Sequence, residues 1–298
     1  MAIRPIEEVE VLILVAMIVI AENKYGKSRV RLLKVKRKDG WHDLREWTLE
    51  IALQGDFDSC FVEGDNSKIL PTDTMKNTVY SLARTSMAES MEEFAEELID
   101  FLLQRNPQVS SAEVNGSEKA WDHLESRGKA HPTTFVQSGT DIHTAKVTRV
   151  RGQKFLVTSG FENLIIMKTS DSSFEGYIED SLTTLPPTND RLLGTAVSAH
   201  WNVSKSDVSF NSLRMKIRET LLETFAHHQS KSVQHTLYAM GKAALDSHPE
   251  IDDINLSMPN KHCLLVDLSR FGQDNPNEIF VPVDEPHGNI QARLRRQE

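Results

Sequence analysis

The sequence predicts an α+β protein built from two similar halves, residues 1–150 and 151–298. Stretches with strand patterning and stretches with helical patterning follow one another in the order strand-strand-helix-helix-strand-strand. This order occurs twice along the chain. Because pairs of strands flank each pair of helices, each half is expected to form an antiparallel sheet with both helices on one face.

In the first half, alternation or enrichment in Val and Thr predicts strands at 29–32, 46–60, 109–114 and 133–150. Gly40 lies in the turn between the first two of these strands. One helix is predicted to start after Thr72 and Asp73, with Asp73 as its N-cap. The next helix carries an apolar face made of Met91, Phe94, Leu98 and Leu102.

In the second half, strands are predicted at 154–168, 191–203, 254–256, 263–266 and 278–283. A long helix has an apolar face made of Leu213, Ile217, Leu221 and Phe225. A second helix begins near Ser232 and ends near His248, because Pro249 cannot continue it. A sheet covered on one face leaves the other face to be filled, and assembly of several subunits into a barrel would fill it.

The overall composition excludes several functional classes. Hydrophobic residues make up 39% and charged residues 26% of the chain, as in ordinary globular proteins. The formal net charge of −9 argues against general binding to nucleic acid or to an anionic membrane. The two cysteines, Cys60 and Cys263, form no C-x-x-C pair, which indicates a reducing compartment without structural disulfides. A cytoplasmic location is therefore expected.

An unbroken apolar run extends from residue 11 to residue 20. It is shorter than the ~18 residues that a membrane-spanning helix needs. The residues before it, 7–10, are acidic where a signal peptide would be basic. Since Leu, Ile and Val dominate the run, we interpret it as a buried strand, with a membrane-associating segment as the alternative.

The common cofactor and metal motifs are missing from the sequence. The 14 glycines form no G-x-G-x-x-G, and Gly26-Lys27-Ser28 resembles the end of a phosphate-binding loop but has Ala21 where the leading glycine belongs. The 11 histidines form no metal-ligand pattern, so solvated or capping roles are expected for the group at 227, 228 and 235. The basic run at 29–38 alternates with apolar residues, which favours one wet face of a strand over a nucleic-acid contact.

Three polar groups suggest proton-transfer chemistry: Lys27, Thr72-Asp73 and Asn260-Lys261-His262. A threonine hydroxyl holds its proton too tightly to act alone at neutral pH. A lysine amine and an imidazole brought onto that hydroxyl would form a relay that activates water or a bound acid. The function therefore depends on whether the fold brings these groups together.

Each candidate also has a purely structural interpretation. Thr72-Asp73 can be an ordinary helix start, and Asn260-Lys261-His262 can be a hairpin turn. Arg191 can be a surface residue that opens a strand, and Val233-Gln234 can be the plain first turn of a helix. Residue patterns alone leave both interpretations open.

Short sequence strings carry more information than the periodicity does. In chain order they are Tyr25-Gly26-Lys27, Asp65-Asn66-Ser67, Thr72-Asp73-Thr74-Met75-Lys76-Asn77-Thr78, Phe174-Glu175-Gly176-Tyr177, Leu182-Thr183-Thr184-Leu185, Asp190-Arg191, Ser232-Val233-Gln234, Met258-Pro259-Asn260-Lys261-His262 and Asp284-Glu285-Pro286-His287-Gly288. In content and order, these strings closely resemble those of the urate oxidases, the cofactor-independent uricases. The similarity covers about residues 22–290, and the apolar segment before Glu22 is not expected from the family.

The resemblance implies a tandem tunnelling fold (T-fold), in which two ββααββ halves form each subunit. Subunits of this family assemble, usually as homotetramers, into a barrel around a tunnel, with active sites at subunit interfaces. The implied substrates are urate and dioxygen, and the implied reaction needs no cofactor and no metal.

The resemblance also implies how urate is held. Phe174 would stack on the flat ring. Arg191 would make a bidentate contact to a carbonyl oxygen and a ring nitrogen of the anion. The amide of Gln234 would pair with the opposite edge of the ring, assisted by the backbone of Val233.

The remaining site residues are implied in the same way. Thr72 and Asp73 would reach the substrate from the adjoining subunit. Lys27, Thr72 and His262 would form the proton relay, in which Lys27 lowers the cost of removing the Thr72 proton and His262 shuttles it. Asn260 would lie close to the dioxygen or water position.

Two other functions remain as alternatives. The first is a pterin-acting T-fold enzyme, but such enzymes generally anchor the heterocycle with a glutamate, whereas this chain has Gln234 at that position and no zinc-ligand pattern. The second is a catalytically silent, purine-binding T-fold protein. The lysine, threonine and histidine of the relay argue against it, because every position carries the residue type that the family uses.

Overall fold

The computed structural model describes residues 18–205 and 207–297. These residues form ten strands, five α-helices and one short 3-10 helix at Ser269–Phe271. In chain order they are β1 (Tyr25–Lys38), β2 (Trp41–Gly55), α1 (Asp58–Val62), α2 (Thr72–Thr85), α3 (Met91–Arg105), β3 (Val109–Ser126), β4 (Lys129–Val150), β5 (Leu156–Lys168), β6 (Leu193–Val203), α4 (Phe210–His227), α5 (Val233–Ser247), β7 (Ile251–Ser257), β8 (Asn260–Leu265), β9 (Phe280–Gly288) and β10 (Gln291–Arg295).

All ten strands belong to one antiparallel sheet. Its main path runs in the order β1-β2-β3-β4-β5-β6-β7-β10, while β8 pairs with β6 and with β9. The two predicted sheets are thus joined edge to edge, because β4 of the first half pairs with β5 of the second, for example Val147 with Val157. In the described part of the chain, β1 and β10 end the main path, which places β1 at one edge.

The helices cover one face of the sheet, as predicted. Alternate residues of β3 show why. Ala112 and Val114 are buried, whereas Glu113 and Asn115, which alternate with them along the strand, face the other side. The two predicted apolar helix faces are confirmed, since all eight of their residues are at most 5% exposed. The sheet and helices enclose two hydrophobic clusters, one built mainly on α2 and α3 and the other on α4 and α5.

A buried ion pair joins the two halves on the helical side. Arg214 on α4 is hydrogen-bonded to Glu92 on α3, and both side chains are almost fully buried. The Ser159 hydroxyl donates to the same Glu92 carboxylate at 2.6 Å, and the Arg214 guanidinium donates to the Gly160 carbonyl at 3.2 Å. Removing one partner of such a pair leaves an uncompensated buried charge, so the pair favours one arrangement of α3 against α4.

Two element boundaries differ from the prediction. The second strand ends at Gly55, not at Cys60, and the register of the β2–β3 pairing shifts there. Position 55 requires glycine, because a Cβ there would lie 2.2 Å from the Gln108 carbonyl oxygen. Cys60 instead lies in the short helix α1. Asp73 is not the N-cap of its helix: Pro71 is, and Asp73 lies within the first turn.

The apolar N-terminal run was predicted to be a buried strand. Residues 11–17 lie outside the described part of the chain. Residues 18–20 form no strand, and Ile18 and Val19 are exposed. For these three residues, the strand prediction is wrong.

Candidate active site

Lys27 lies on β1 at an irregular point of the strand. It is half-buried and opposite Ile51 of β2, and the register shifts between Lys27 and Val30. Arg29, inside this bulge, has a φ of 57°, a left-handed conformation that a side chain other than glycine rarely adopts. The position directly before Lys27 requires glycine, because a Cβ on residue 26 would lie 1.8 Å from the Ile51 carbonyl oxygen. Bulges of this kind redirect the side chains beside them.

Thr72 and Asp73 form the start of α2. No side chain caps this helix, so the N–H groups of its first turn keep their hydrogen-bonding capacity and the positive end of the helix dipole. The Asp73 carboxylate accepts from Lys76 at 2.5 Å and from Asn77 at 2.9 Å. The ammonium of Lys76 holds the pKa of Asp73 below its usual value, with a smaller contribution from Lys27. Independently of this effect, α2 packs against β1, the strand that carries Lys27.

Phe174 and Arg191 lie together in the second half. The Arg191 guanidinium carbon is 5.3 Å from the centre of the Phe174 ring, and one face of that ring stacks on Tyr177 at 4.9 Å. Phe174 is held by two backbone hydrogen bonds with Thr188, of 2.8 and 3.0 Å. Asp190 fixes the same loop, because its carboxylate accepts from the Ser170 hydroxyl at 2.8 Å.

Arg191 has an unsatisfied donor. Its Nε is buried and has no hydrogen-bond partner among the described residues. Burial also lowers the pKa of this guanidinium. A buried N–H group without a partner costs about 1–3 kcal/mol, and more for a charged group. An acceptor on a bound anion would remove this cost.

The start of α5 is attached to the Phe174 loop. The N–H of Ser173 donates to the Ser230 carbonyl at 2.8 Å, and the Ser230 hydroxyl donates to the Ser232 carbonyl at 3.1 Å. Ser232 is the N-cap, and its hydroxyl accepts from the backbone N–H three residues later. Val233 is buried and Gln234 is exposed; they are the first two residues of the helix. Their N–H groups take no part in this cap.

Asn260 and His262 lie in β8, so they open a strand rather than forming a turn. Asn260 pairs with Thr195 of β6, four residues after Arg191. His262 is opposite Val283 of β9, and both Asn260 and His262 are half-buried. Strand pairing thus brings the Asn260 segment to the side of the sheet where β6 begins.

The chain collects its predicted site residues into two groups. We call Lys27, Thr72 and Asp73 the amine half-site. We call Phe174, Arg191, Val233, Gln234, Asn260 and His262 the clamp half-site. Along the sheet, β1 and β6 are five strands apart, a path of roughly 24 Å at the usual spacing between strands. A single chain therefore presents the two half-sites separately.

Two further observations concern metals and membranes. Across 18–205 and 207–297, no three or more His, Cys, Asp or Glu side chains are grouped so as to hold a metal ion. His228 and His235 contact each other, with 3.2 Å between ring nitrogens, and His227 is exposed. In the same part of the chain, no helix combines the length and the apolar character needed to cross a bilayer.

Comparison with known proteins decides the family. The family model described as "Uricase" matches residues 23–148 and 157–291, nearly the whole chain. The chain belongs to the uricase family. The resemblance inferred from its sequence strings is confirmed, and so is the tandem α+β fold that it implied.

Individual uricases agree with this assignment. The chain is 38% identical to the uricase of Arthrobacter globiformis over 280 residues, which cover 94% of this chain and 91% of that uricase. It is 36% identical to the uricase of Dictyostelium discoideum over 283 residues, covering 94% and 98% of the two chains. The crystal structure of the Arthrobacter globiformis uricase superposes with a TM-score of 0.89 at 37% identity, covering 95% of this chain and 96% of that one.

Proposed function

We propose that this chain is a urate oxidase that converts urate, dioxygen and water to 5-hydroxyisourate and hydrogen peroxide. Its membership of the uricase family supports an oxidoreductase that acts on urate. The observation that carries the proposal is the clamp half-site, where a half-buried guanidinium whose buried Nε has no partner lies beside an aromatic ring. A flat, anionic heterocycle is the kind of ligand that satisfies both groups.

The electrostatics of both half-sites suit an anion. Urate would stack on the face of Phe174 that Tyr177 leaves free, and Arg191 would bind one edge of it in a bidentate manner. Gln234 and the Val233 backbone would bind the opposite edge. Both half-sites include the start of a helix, α2 in one and α5 in the other, and helix N-termini favour negative charge.

The electrons of the proposed reaction come from the substrate. Doubly deprotonated urate is electron-rich, and it gives two electrons to dioxygen, which becomes hydrogen peroxide after taking up two protons. Water adds to the oxidised purine and completes 5-hydroxyisourate. The protein orients urate, accepts its protons and holds dioxygen and water near the ring, with Asn260 beside that position.

The amine half-site would act on protons. A positive charge on Lys27 stabilises the anionic form of the Thr72 hydroxyl, and the uncapped start of α2 acts in the same direction. His262 would pass the proton on between the relay and water. Asp73, like Thr72, would contact the substrate from this side.

The two half-sites would meet between copies of the chain. Since about five strand spacings separate them within one chain, a complete site requires the amine half-site of one copy and the clamp half-site of another. Among residues 18–205 and 207–297, β1 and β10 end the main path of the sheet. These edges allow copies to join edge to edge into a barrel, and we propose a homotetramer acting in the cytoplasm. The subunit halves would be residues 1–150 and 151–298.

The proposed function predicts urate oxidation without any added metal or cofactor. Purified protein is mixed with urate in air-saturated buffer, and urate absorbance, dissolved oxygen and peroxide are followed together. We expect one oxygen consumed and one peroxide formed per urate, at a rate that EDTA does not change. Absence of urate loss would contradict the proposal and favour a silent purine-binding protein. Activity abolished by EDTA would contradict the metal-free mechanism.

A further inference from the structure

The hydroxyl of Tyr25 is bonded to both polar backbone atoms of Leu70. It accepts from the Leu70 N–H at 2.9 Å and donates to the Leu70 carbonyl at 3.2 Å. The Tyr25 ring packs edge-on against Phe57, with ring centres 4.8 Å apart, and Phe57 is fully buried. The phenol is thus held at its ring by the core and at its hydroxyl by the chain segment before α2.

The two residues joined by this contact lie next to the proposed catalytic pair. Tyr25 is two residues before Lys27 on β1, so the two side chains lie on the same side of the strand ahead of its bulge. Leu70 is two residues before Thr72, the first residue of α2. Lys27 and Thr72 are thus each two residues away from a residue of this contact, and the Tyr25 hydroxyl joins the two segments through both polar backbone atoms of Leu70.

The segment that leads into Thr72 is also anchored by the packing of Ile69 and Leu70 on the core and by hydrogen bonds of its earlier residues, among them the Asp65 N–H to the Ser59 carbonyl at 3.2 Å. Residues 63–71 form no helix or strand, and most of them are exposed. The Lys68 carbonyl accepts from Gln108 at 2.8 Å, and the Ile69 N–H donates to the Asn66 carbonyl at 3.0 Å. Those contacts hold the earlier part of the segment. Among the described hydrogen bonds, the Tyr25 hydroxyl is the anchor from β1 that lies nearest to Thr72.

We propose that Tyr25 is a positioning residue of the amine half-site, whose hydroxyl sets the distance between Lys27 and Thr72. This inference rests on the proposed function, in which Lys27 acts on the Thr72 hydroxyl. Proton transfer depends on heavy-atom distances of about 2.6–3.2 Å, and a displacement of about 1 Å can cost 10²-fold in rate. Without the tether, the start of α2 can move away from β1 although the core remains packed.

The chemical state of the phenol suits this role. Burial raises the pKa of Tyr25, an effect larger than the opposing effect of its backbone hydrogen bond. The group therefore stays neutral at neutral and mildly alkaline pH, where it donates to the Leu70 carbonyl while it accepts from the Leu70 N–H.

Tyr25→Phe removes the hydroxyl and keeps the ring that packs on Phe57. We expect kcat for urate to fall roughly 10- to 100-fold, with a much smaller change in KM, because the clamp half-site, which supplies most of the proposed urate contacts, is untouched. The matched control is Tyr80→Phe. The Tyr80 hydroxyl also joins α2 to β1, through the Arg31 carbonyl at 3.3 Å, but it lies on the third turn of the helix. This control is expected to keep wild-type kcat.

A double-mutant cycle separates positioning from general destabilisation. If Tyr25 acts through Lys27, then Tyr25→Phe adds little further loss to Lys27→Met, whereas it adds its full factor to Arg191→Ala. Equal factors in both backgrounds would overturn the inference. Each rate is divided by the fraction of folded protein, which the urea unfolding curve of that variant gives.

A conservative replacement provides the rescue. 4-Aminophenylalanine at position 25 restores a donor to the Leu70 carbonyl, and we expect it to recover most of the kcat lost in Tyr25→Phe. No recovery would contradict a role for the hydrogen bond. If Tyr25→Phe and Tyr80→Phe are equally active while the wild-type chain oxidises urate, the inference fails and the proposed function stands. If the wild-type chain does not oxidise urate, the proposed function itself fails.

Discussion

Lys27→Met is expected to lower kcat for urate by about 10²–10⁴-fold, the range that a general acid–base group contributes. Thr72→Ala is expected to act in the same way, because both substitutions break the same relay. KM should change far less than kcat, since most of the residues proposed to bind urate lie in the other half-site and Thr72→Ala removes only one proposed contact. Steady-state kinetics with urate absorbance as the signal measure both constants.

Lys24→Met is the matched control for Lys27→Met. Lys24 lies three residues earlier, and its partly exposed ammonium pairs at 2.8 Å with Glu113, a carboxylate that is 15% exposed. Because Lys146 also pairs with Glu113 at 3.0 Å, the carboxylate keeps a partner in Lys24→Met, and this substitution should leave kcat unchanged. Near-normal turnover in both Lys27→Met and Thr72→Ala would remove the relay from the mechanism.

Arg191→Ala is expected to weaken urate binding by about 2–5 kcal/mol, the usual cost of losing one partner of a buried, hydrogen-bonded charge pair. The guanidinium is half-buried beside Phe174 with an unsatisfied Nε, so the ligand would supply its missing acceptor. A competitive purine anion such as xanthine, titrated against wild type and variant, measures the affinity without turnover.

Arg191→Lys separates charge from geometry. It keeps the positive charge but loses the planar, two-donor arrangement, so affinity should fall between wild type and Arg191→Ala. An unchanged Michaelis constant and an unchanged inhibitor affinity in Arg191→Ala would contradict the assignment of this residue to the substrate.

The fold was predictable where the sequence pattern reflects burial directly. The apolar faces of α3 and α4 and the turn at Gly40 follow from residue spacing and from the needs of a tight turn. The end of β2 was not predictable, because the register shift at Gly55 depends on pairing with β3, which is distant in sequence. The joining of two sheets into one rests on a local pairing, because β4 and β5 are consecutive strands and Thr148 lies opposite Leu156. Strand patterns alone do not say which neighbouring strands pair.

The candidate site, like the fold, could be predicted from the sequence only in part. Sequence strings suggested the candidate residues, whose roles stay a prediction. Neither periodicity nor spacing could place Asn260 beside Thr195, since their pairing spans 65 positions of the chain. The bulge beside Lys27 had no sequence signal beyond Gly26, because Arg29 is an unusual residue for a left-handed conformation. The hydrogen bond of Tyr25 to Leu70 and the stacking of Tyr177 on Phe174 could not be predicted from the sequence either, although both tyrosines lie in the strings that resemble the family.

The central claim is that each active site combines the amine half-site of one copy with the clamp half-site of another. Subunit complementation tests it most directly. Lys27→Met and Arg191→Ala are co-expressed with different affinity tags, and mixed oligomers are purified through both. Activity is measured at a urate concentration well below the KM of Arg191→Ala, where each variant alone is nearly inactive. Random pairing leaves about a quarter of the sites with both half-sites intact, so about a quarter of wild-type activity should return. Mixed oligomers no more active than either variant alone would contradict a site shared between subunits.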